Sequence, residues 1–202
     1  MNKAEVLKLL QQHQSGHAEE IAFRDRTIDF VKANENFHLR TTEAGHVTAS
    51  AWVVNAERTH ALLIHHKKLD RWFQMGGHIE VQDATLAEAA LREAREESGL
   101  ESPALLSEAV YDIDVHEIPE KNGVKAHWHF DVRFLMVADM HEPLLQSDEV
   151  KDIRWFNLDE LSSKPMEQSL RRMVEKVRET VAELEAISSP GFNPEIKNAP
   201  TC

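Results

Sequence analysis

Cysteine is nearly absent from this 202-residue sequence, which contains Cys202 alone. A single thiol forms no disulfide within the chain, and that scarcity fits a reducing compartment, so a cytoplasmic location is expected. Long apolar runs are also missing, and none approaches the roughly 20 residues that cross a bilayer. The opening "MNKAEVLKLLQQHQ" reads as an amphipathic helix rather than a signal peptide. Positive charge is scarce: 23 Lys and Arg stand against 35 Asp and Glu, giving a net charge of -12. That balance disfavours nucleic acid or an anionic membrane as the main partner. An anionic small substrate then needs a bound cation or a local basic patch. The remaining composition, 42% hydrophobic and 29% charged with few Gly and Pro, is that of an ordinary globular chain. Its length suits one domain with an appended element.

No internal repeat or long low-complexity tract is present. Residues 2–13 and 18–34 read as helices, with Val6, Leu9, Leu10 and then Ile21, Ile28, Val31 at helical spacing. The period then changes. "VTASAWVV" (47–54) and "HALLIHH" (60–66) read as strands, as do "LLSEAVYDIDVHEI" and "KAHWHFDVRFLMVA" around the hairpin turn "PEKNG". "VKDIRWFNL" is a further short strand. A final helix over about 165–187 carries Leu170, Val174, Val177, Val181 and Leu184, a stripe for the body or for a partner chain. That stripe and the N-terminal helical pair raise a homodimer or a lid as expectations. Residues 188–202 read as an unstructured tail. Strands with helices on both sides indicate a layered α/β architecture.

Between the strands lies "GGHIEVQDATLAEAALREAREESGL" (76–100), whose helix is expected over 84–98 with Gly99 as its C-cap. Ala87, Leu91 and Ala94 form one apolar stripe, suited to packing on a sheet. Leu86, Ala89 and Ala90 form a second, which Glu93, Glu96 and Glu97 continue. Surface pairs such as Glu88–Arg92 and Arg92–Glu96 would stabilise a solvated helix by about 0.2–0.5 kcal/mol each. They explain Arg92 but not three carboxylates crowded onto one stripe, where repulsion costs a similar amount. A hard divalent ion reverses that sign, because Mg²⁺ takes carboxylate, phosphate and water oxygens at about 2.0–2.1 Å. Arg92 can then orient Glu96 through a charge-assisted hydrogen bond.

These residues resemble the Nudix box. That signature runs Gly, five residues, Glu, seven residues, Arg-Glu, an apolar residue, any residue, Glu-Glu, any residue, Gly, an apolar residue. Gly77, Arg92, Glu93, Ala94, Glu96, Glu97, Gly99 and Leu100 fall on its fixed positions. The front half departs. Five residues after Gly77 comes Asp83, not Glu, and eight residues rather than seven separate it from Arg92. In the family this position supports the loop–helix–loop more than it performs the chemistry.

The resemblance implies a Nudix-like α/β/α sandwich with a mixed sheet over residues 45–187, preceded by an N-terminal helical extension, 1–44. It implies hydrolysis of a diphosphate linkage in a nucleoside diphosphate joined to another moiety, with Mg²⁺ or Mn²⁺ held by Glu93, Glu96 and Glu97. Arg92 supports them, and Glu149, with Asp148 behind it, is a further base or ligand from a later loop. Lys67, Lys68, Arg71 and Trp72 precede the box, where cations would hold phosphate and an aromatic would stack a base. His13, His17, His38, His46 and His60 are scattered and read as surface or satisfied core residues. His127, His129, Asp131 and Arg133 share one strand face, read as half-exposed rather than as lining the cleft, although His at such spacing can bind metal. Two alternatives remain. An isopentenyl-diphosphate-isomerase-like enzyme would want a Cys near its site, and Cys202 lies in the expected tail. A non-catalytic nucleotide-sensing module would tolerate the altered front half of the box.

Overall fold

The computed structural model describes residues 1–121, 123–147, 150–163 and 166–188, without side chains for 181–188. Two helices come first, α1 (Lys3–Gln12) and α2 (Ala18–Ala33). Asn2 starts α1 by accepting from Ala4 N at 3.0 Å, which satisfies one of the amides a helix N-terminus leaves unpaired. Strands β1 (Gly45–Val54), β2 (His60–His66), β3 (Arg71–Phe73) and β4 (Met75–His78) follow, then helix α3 (Leu86–Ser98). After it come β5 (Ala104–Leu105), β6 (Asp112–Ile118), β7 (His127–Val137), β8 (Val150–Asn157), a short α4 (Leu158–Ser162) and α5 (Gln168–Ser188).

The strands form one mixed sheet built around β1. Its last residues pair antiparallel with β2, its middle pairs antiparallel with β4, and its full length runs parallel to β7. β6 and β5 extend the β7 side, while β3 and β8 flank β2. All ten residues of β1 are buried, because both sheet faces are covered. Alternate side chains go opposite ways. Val47, Ala49, Ala51 and Val53 join the core beneath α1, α2 and α3, with Val6, Leu10, Ile28, Val31, Leu86, Ala89 and Ala90. Trp52 and Val54 join the other core, with Leu158, Leu161, Leu170, Met173, Val174 and Val177 of α4 and α5. The result is the expected α/β/α sandwich with N-terminal helices, and those helices share the sheet's first core.

Three expectations need correction. The box helix begins at Leu86 rather than 84, because Thr85 caps it by accepting from Glu88 N at 3.1 Å. Glu88 in turn accepts from Ala84 N at 2.9 Å, a reciprocal cap. The stripe buried on the sheet is Leu86, Ala89, Ala90 and Ala94, while Ala87 and Leu91 are half-buried in a cleft against Val6 and Leu9 of α1. Finally, the strand expected before "PEKNG" is interrupted: residues 106–111 lie outside β5 and β6. The stripe of the last helix is spent on the chain's own core as far as Val177. Among the described residues, no helix is long and apolar enough to cross a membrane.

Candidate active site

Helix α3 delivers its glutamates to the end of β4. Gly99 terminates the helix in the left-handed region at φ 72°, with its N–H donating to Arg95 O at 2.8 Å. Because Leu86, Ala89 and Ala90 are seated on the sheet, Glu93 and Glu97 on the same stripe must also face β4. Glu97 Oε2 accepts from Gly76 N at 2.9 Å. The Glu93 carboxylate lies over Gly77 so closely that a Cβ there would stand 2.6 Å from Glu93 Oε1. Gly77 therefore leaves the cradle that the carboxylate fills. Glu96, one turn further round, is 57% exposed at its side chain.

Arg92 ties this group to the loop. Its Nε and Nη2 donate to Asp83 Oδ1 and Oδ2 at 3.1 and 2.9 Å, a two-pronged pairing. Nη2 also donates to His78 O at 2.8 Å, and Nη1 to Glu93 Oε1 and Glu96 Oε2 at 2.9 and 3.0 Å. Asp83 is 5% exposed and also accepts from Glu80 N at 2.8 Å. The extra loop residue thus brings a shorter acid into the space from which it can brace Arg92. Burial works against the Asp83 anion, but Arg92 and the Glu80 amide more than offset it and hold its carboxyl below the usual range.

Asp83, Glu93 and Glu96 share one guanidinium, so negative charge is in excess. Burial pushes the Glu93 carboxyl up; Arg92 pulls it back, and Glu96 and Glu80 push it up again. A hard divalent cation fits this donor set of oxygens alone, crowded by like charge around a cradle open only because residue 77 has no Cβ.

Along β1, the residues before Trp52 and Val54 on the same face are His46, Thr48 and Ser50. Thr48 and Ser50 donate to Asp131 Oδ1 at 3.0 and 2.7 Å, and Gln74 donates to Oδ2 at 3.2 Å. The face of β7 expected to be half-exposed is buried at Asp131 and Arg133: Arg133 pairs with Asp131 and with Asp112 of β6, and Met173 of α5 lies 3.9 Å from its Nη1. Its outer end holds imidazoles: the His46 ring lies 4.6 Å from His129, 4.9 Å from His78 and 5.2 Å from His127. Burial, with neighbouring histidines, holds His46 at about 4 and His129 at about 2, so both rings are neutral at pH 7. Among the described residues, the metal-ligating side chains whose donor atoms lie within 4.8 Å of one another are His46, His127 and His129. The three glutamates do not form such a group. The spacing of His127 and His129 along one strand face was compatible with metal binding in the sequence, but His46 was missed, and only the pairing of β1 with β7 could have found it.

The basic residues before the box lie elsewhere. Arg71 and Trp72 line a cleft with Leu63, Phe156, Met166 and Glu167, to which Arg92 and the α3 glutamates do not contribute. Arg71 pairs with Glu167. The Trp72 ring stacks on His65 at 5.0 Å and meets the Phe156 ring edge-on at 4.7 Å. Lys67 is exposed between β2 and β3. Glu149 and Asp148 lie outside the described residues.

The family model described as NUDIX domain matches residues 44–177. Among solved structures, a C. elegans Ap4A hydrolase in a binary complex is 15% identical with a TM-score of 0.54, covering 68% of this chain and 98% of that one. The NUDIX domain of Shewanella oneidensis NrtR, complexed with ADP ribose, is 17% identical at a TM-score of 0.51, covering 72% and 94%. RenU, a Nudix hydrolase from M. smegmatis, is 19% identical at 0.50, covering 74% and 91%. At these identities the likeness is one of fold. No curated protein matches the sequence.

Proposed function

This chain belongs to the NUDIX family and is a pyrophosphohydrolase by that membership, and on that premise we propose that it cleaves the diphosphate linkage of a nucleoside diphosphate joined to another moiety, using Mg²⁺ or Mn²⁺. The observation that carries this reading is the α3 carboxylate set: Glu93 seated in the Gly77 cradle, Glu97 against the Gly76 amide, and Arg92 braced by Asp83. Glu93, Glu96 and Glu97 would hold the cation, which supplies charge neutralisation at the diphosphate and a lowered pKa for the attacking water. Glu93 and Glu96 are oriented by Arg92, whose own position is fixed by Asp83 and by His78 O. Carboxylates held in place by Arg92 reorganise little as charge builds at the phosphate, which is where catalysis gains most. Glu96 or Glu97, or Glu149 from the later loop, would take the proton of the water.

Lys67, Arg71 and Trp72 are assigned to the moiety carried beyond the diphosphate, with Trp72 offering a ring for stacking. The dinucleotide and ADP-ribose named for the structural relatives make dinucleoside polyphosphates and ADP-ribose the first substrates to try. The Asp83–Arg92 pairing favours catalysis over a sensing module, because the altered front half of the box still braces the glutamates. The test is a screen of nucleotide sugars, ADP-ribose, dinucleoside polyphosphates and nucleoside triphosphates with Mg²⁺ or Mn²⁺ and product identification. Cleavage at a diphosphate linkage that stops in excess chelator is expected. Turnover of none of these classes, or full turnover in chelator, would sink the reading.

A further inference from the structure

The diphosphate chemistry makes no use of the imidazoles at the outer end of β1 and β7. Parallel pairing sets His46 directly across from His129, and the two-residue repeat of β7 puts His127 on the same face. One donor nitrogen from each of these three rings lies within 4.8 Å of the others. His46 is 3% exposed, yet neither of its ring nitrogens has a hydrogen-bond partner. A buried polar atom left unsatisfied is destabilising, so ring packing alone leaves His46 unexplained. His127 has the opposite arrangement at one nitrogen. Its Nδ1 lies 2.9 Å from Lys125 O, which can only accept, so Nδ1 donates and Nε2 carries the lone pair. An imidazole anchored through one N–H to a backbone carbonyl is the usual posture of a metal-ligating histidine.

We propose that His46, His127 and His129 form a binding site for a borderline transition-metal cation of the Zn²⁺ class, separate from the carboxylate site on α3. Imidazole nitrogen suits Zn²⁺, Co²⁺, Ni²⁺ and Cu²⁺, whereas Mg²⁺ and Mn²⁺ suit the oxygens of the glutamates. Zn–N bonds of about 2.0–2.1 Å set tetrahedral ligand nitrogens about 3.4 Å apart, so the trio needs to close by little more than an ångström. The half-buried rings of His127 and His129 supply that movement and give the ion a path from solvent. Three protein ligands leave a fourth position for water or a ligand oxygen. Both nitrogens of His46 cannot bind one ion, so the cation relieves one of them. His78, whose ring flanks His46 and whose carbonyl accepts from Arg92, places this site beside the box loop. A bound ion would therefore also stiffen the end of β4.

The test titrates Co²⁺, whose visible absorption reports nitrogen ligation, into the full chain stripped by chelator and then held in a large excess of Mg²⁺. Zn²⁺ titrated by calorimetry gives the stoichiometry. One ion per chain is expected in the wild type and in Glu97→Gln, with weakening of about tenfold or more in His127→Ala and His129→Ala. Zn²⁺ should also raise the melting temperature of the wild type and not of those two variants. If His129→Ala does not fold by circular dichroism, His127→Ala, at a half-buried position, carries the result. No Co²⁺ binding in the wild type, unchanged binding in His127→Ala, or loss of binding in Glu97→Gln would each overturn the proposal.

Discussion

Two glutamates in this molecule, one buried and one half-buried, are treated in opposite ways. Glu20 of α2 has no exposed surface, and burial alone would push its carboxyl up. His13, Lys176 and Ser15 overcome that and hold it far below the usual carboxylate range. Lys176 Nζ reaches both of its oxygens, at 2.7 and 2.9 Å, and His13 Nε2 lies 2.8 Å from Oε1. Around them Asp112 receives Arg172 at 2.8 and 2.9 Å and Arg133 at 3.1 Å, so each acid in this network meets a cation. Glu93 is less buried yet is pushed the other way, because its one guanidinium is shared with Asp83 and Glu96. The first arrangement is complete and joins α2, β6 and α5. The second is short of positive charge, and that shortage is what a cation would fill.

The largest effect expected is on the complete network. Glu20→Gln removes the carboxylate that His13 and Lys176 share and leaves Lys176 with Asp112 as its carboxylate partner, at 3.3 Å, and breaking a buried pair costs about 3–5 kcal/mol. The urea midpoint should fall at constant slope, while turnover per folded molecule stays at the wild-type value. An unmoved midpoint would show that the two glutamates are not different in kind.

The second effect is on the incomplete group. Glu97→Gln should lower kcat by roughly 10²–10³, the several kcal/mol that metal-assisted charge stabilisation supplies, with the melting temperature unchanged. Activity and stability thus trade places between the two sites. A variant that keeps its turnover would remove Glu97 from the cation site.

Asp83 connects the two kinds of behaviour, being buried and satisfied yet bracing the site. Asp83→Ala should cost about 1.5–3 kcal/mol of stability, the usual worth of hydrogen bonds to a charged group. It should also slow turnover, though less than Glu97→Gln, because Arg92 loses its two-pronged support. Loss of stability without loss of rate would confine Asp83 to the loop.

These contrasts were unequally legible in the sequence. The period of Leu86, Ala89 and Ala90 and the cap at Gly99 gave the helix, and the Arg-Glu and Glu-Glu pairs gave its acidic end. The position of Asp83 was visible but its part was not. A motif counts residues along the chain, whereas a loop one residue longer with a side chain one methylene shorter reaches the same guanidinium. The polar face of β7 was misjudged because the groups that bury it, Asp112 of β6 against Arg133 and Met173 of α5, lie tens of residues away in the chain. Glu20 was hidden for the same reason, since its partners include Lys176. His46, read as scattered, meets His129 only through the parallel pairing of β1 with β7.

The smallest effect is in the pH dependence, where Asp114 of β6, which joins the complete network at Arg133 and Arg172 (3.4 and 3.5 Å), and Glu93 tilt stability in opposite directions. Burial opposes the Asp114 anion, but His116, Arg133 and Arg172 bring its pKa from 3.8 to about 2. Its folded value lies below the unfolded one, so its contribution, about 2 kcal/mol, is present above pH 3.8 and is lost as pH falls towards 2. Asp114→Asn should therefore differ from the wild type at neutral pH and converge with it in acid. Glu93 has the reverse sign. Its raised folded pKa favours the folded state below the unfolded value and loses that advantage as pH rises through the folded one. In chelator, then, Glu93→Gln should gain on the wild type as pH rises above the ordinary glutamate value of about 4, as measured by melting temperature against pH. A variant that loses ground over the same interval would mean that Arg92 satisfies Glu93 fully, and that the glutamate group lacks no charge.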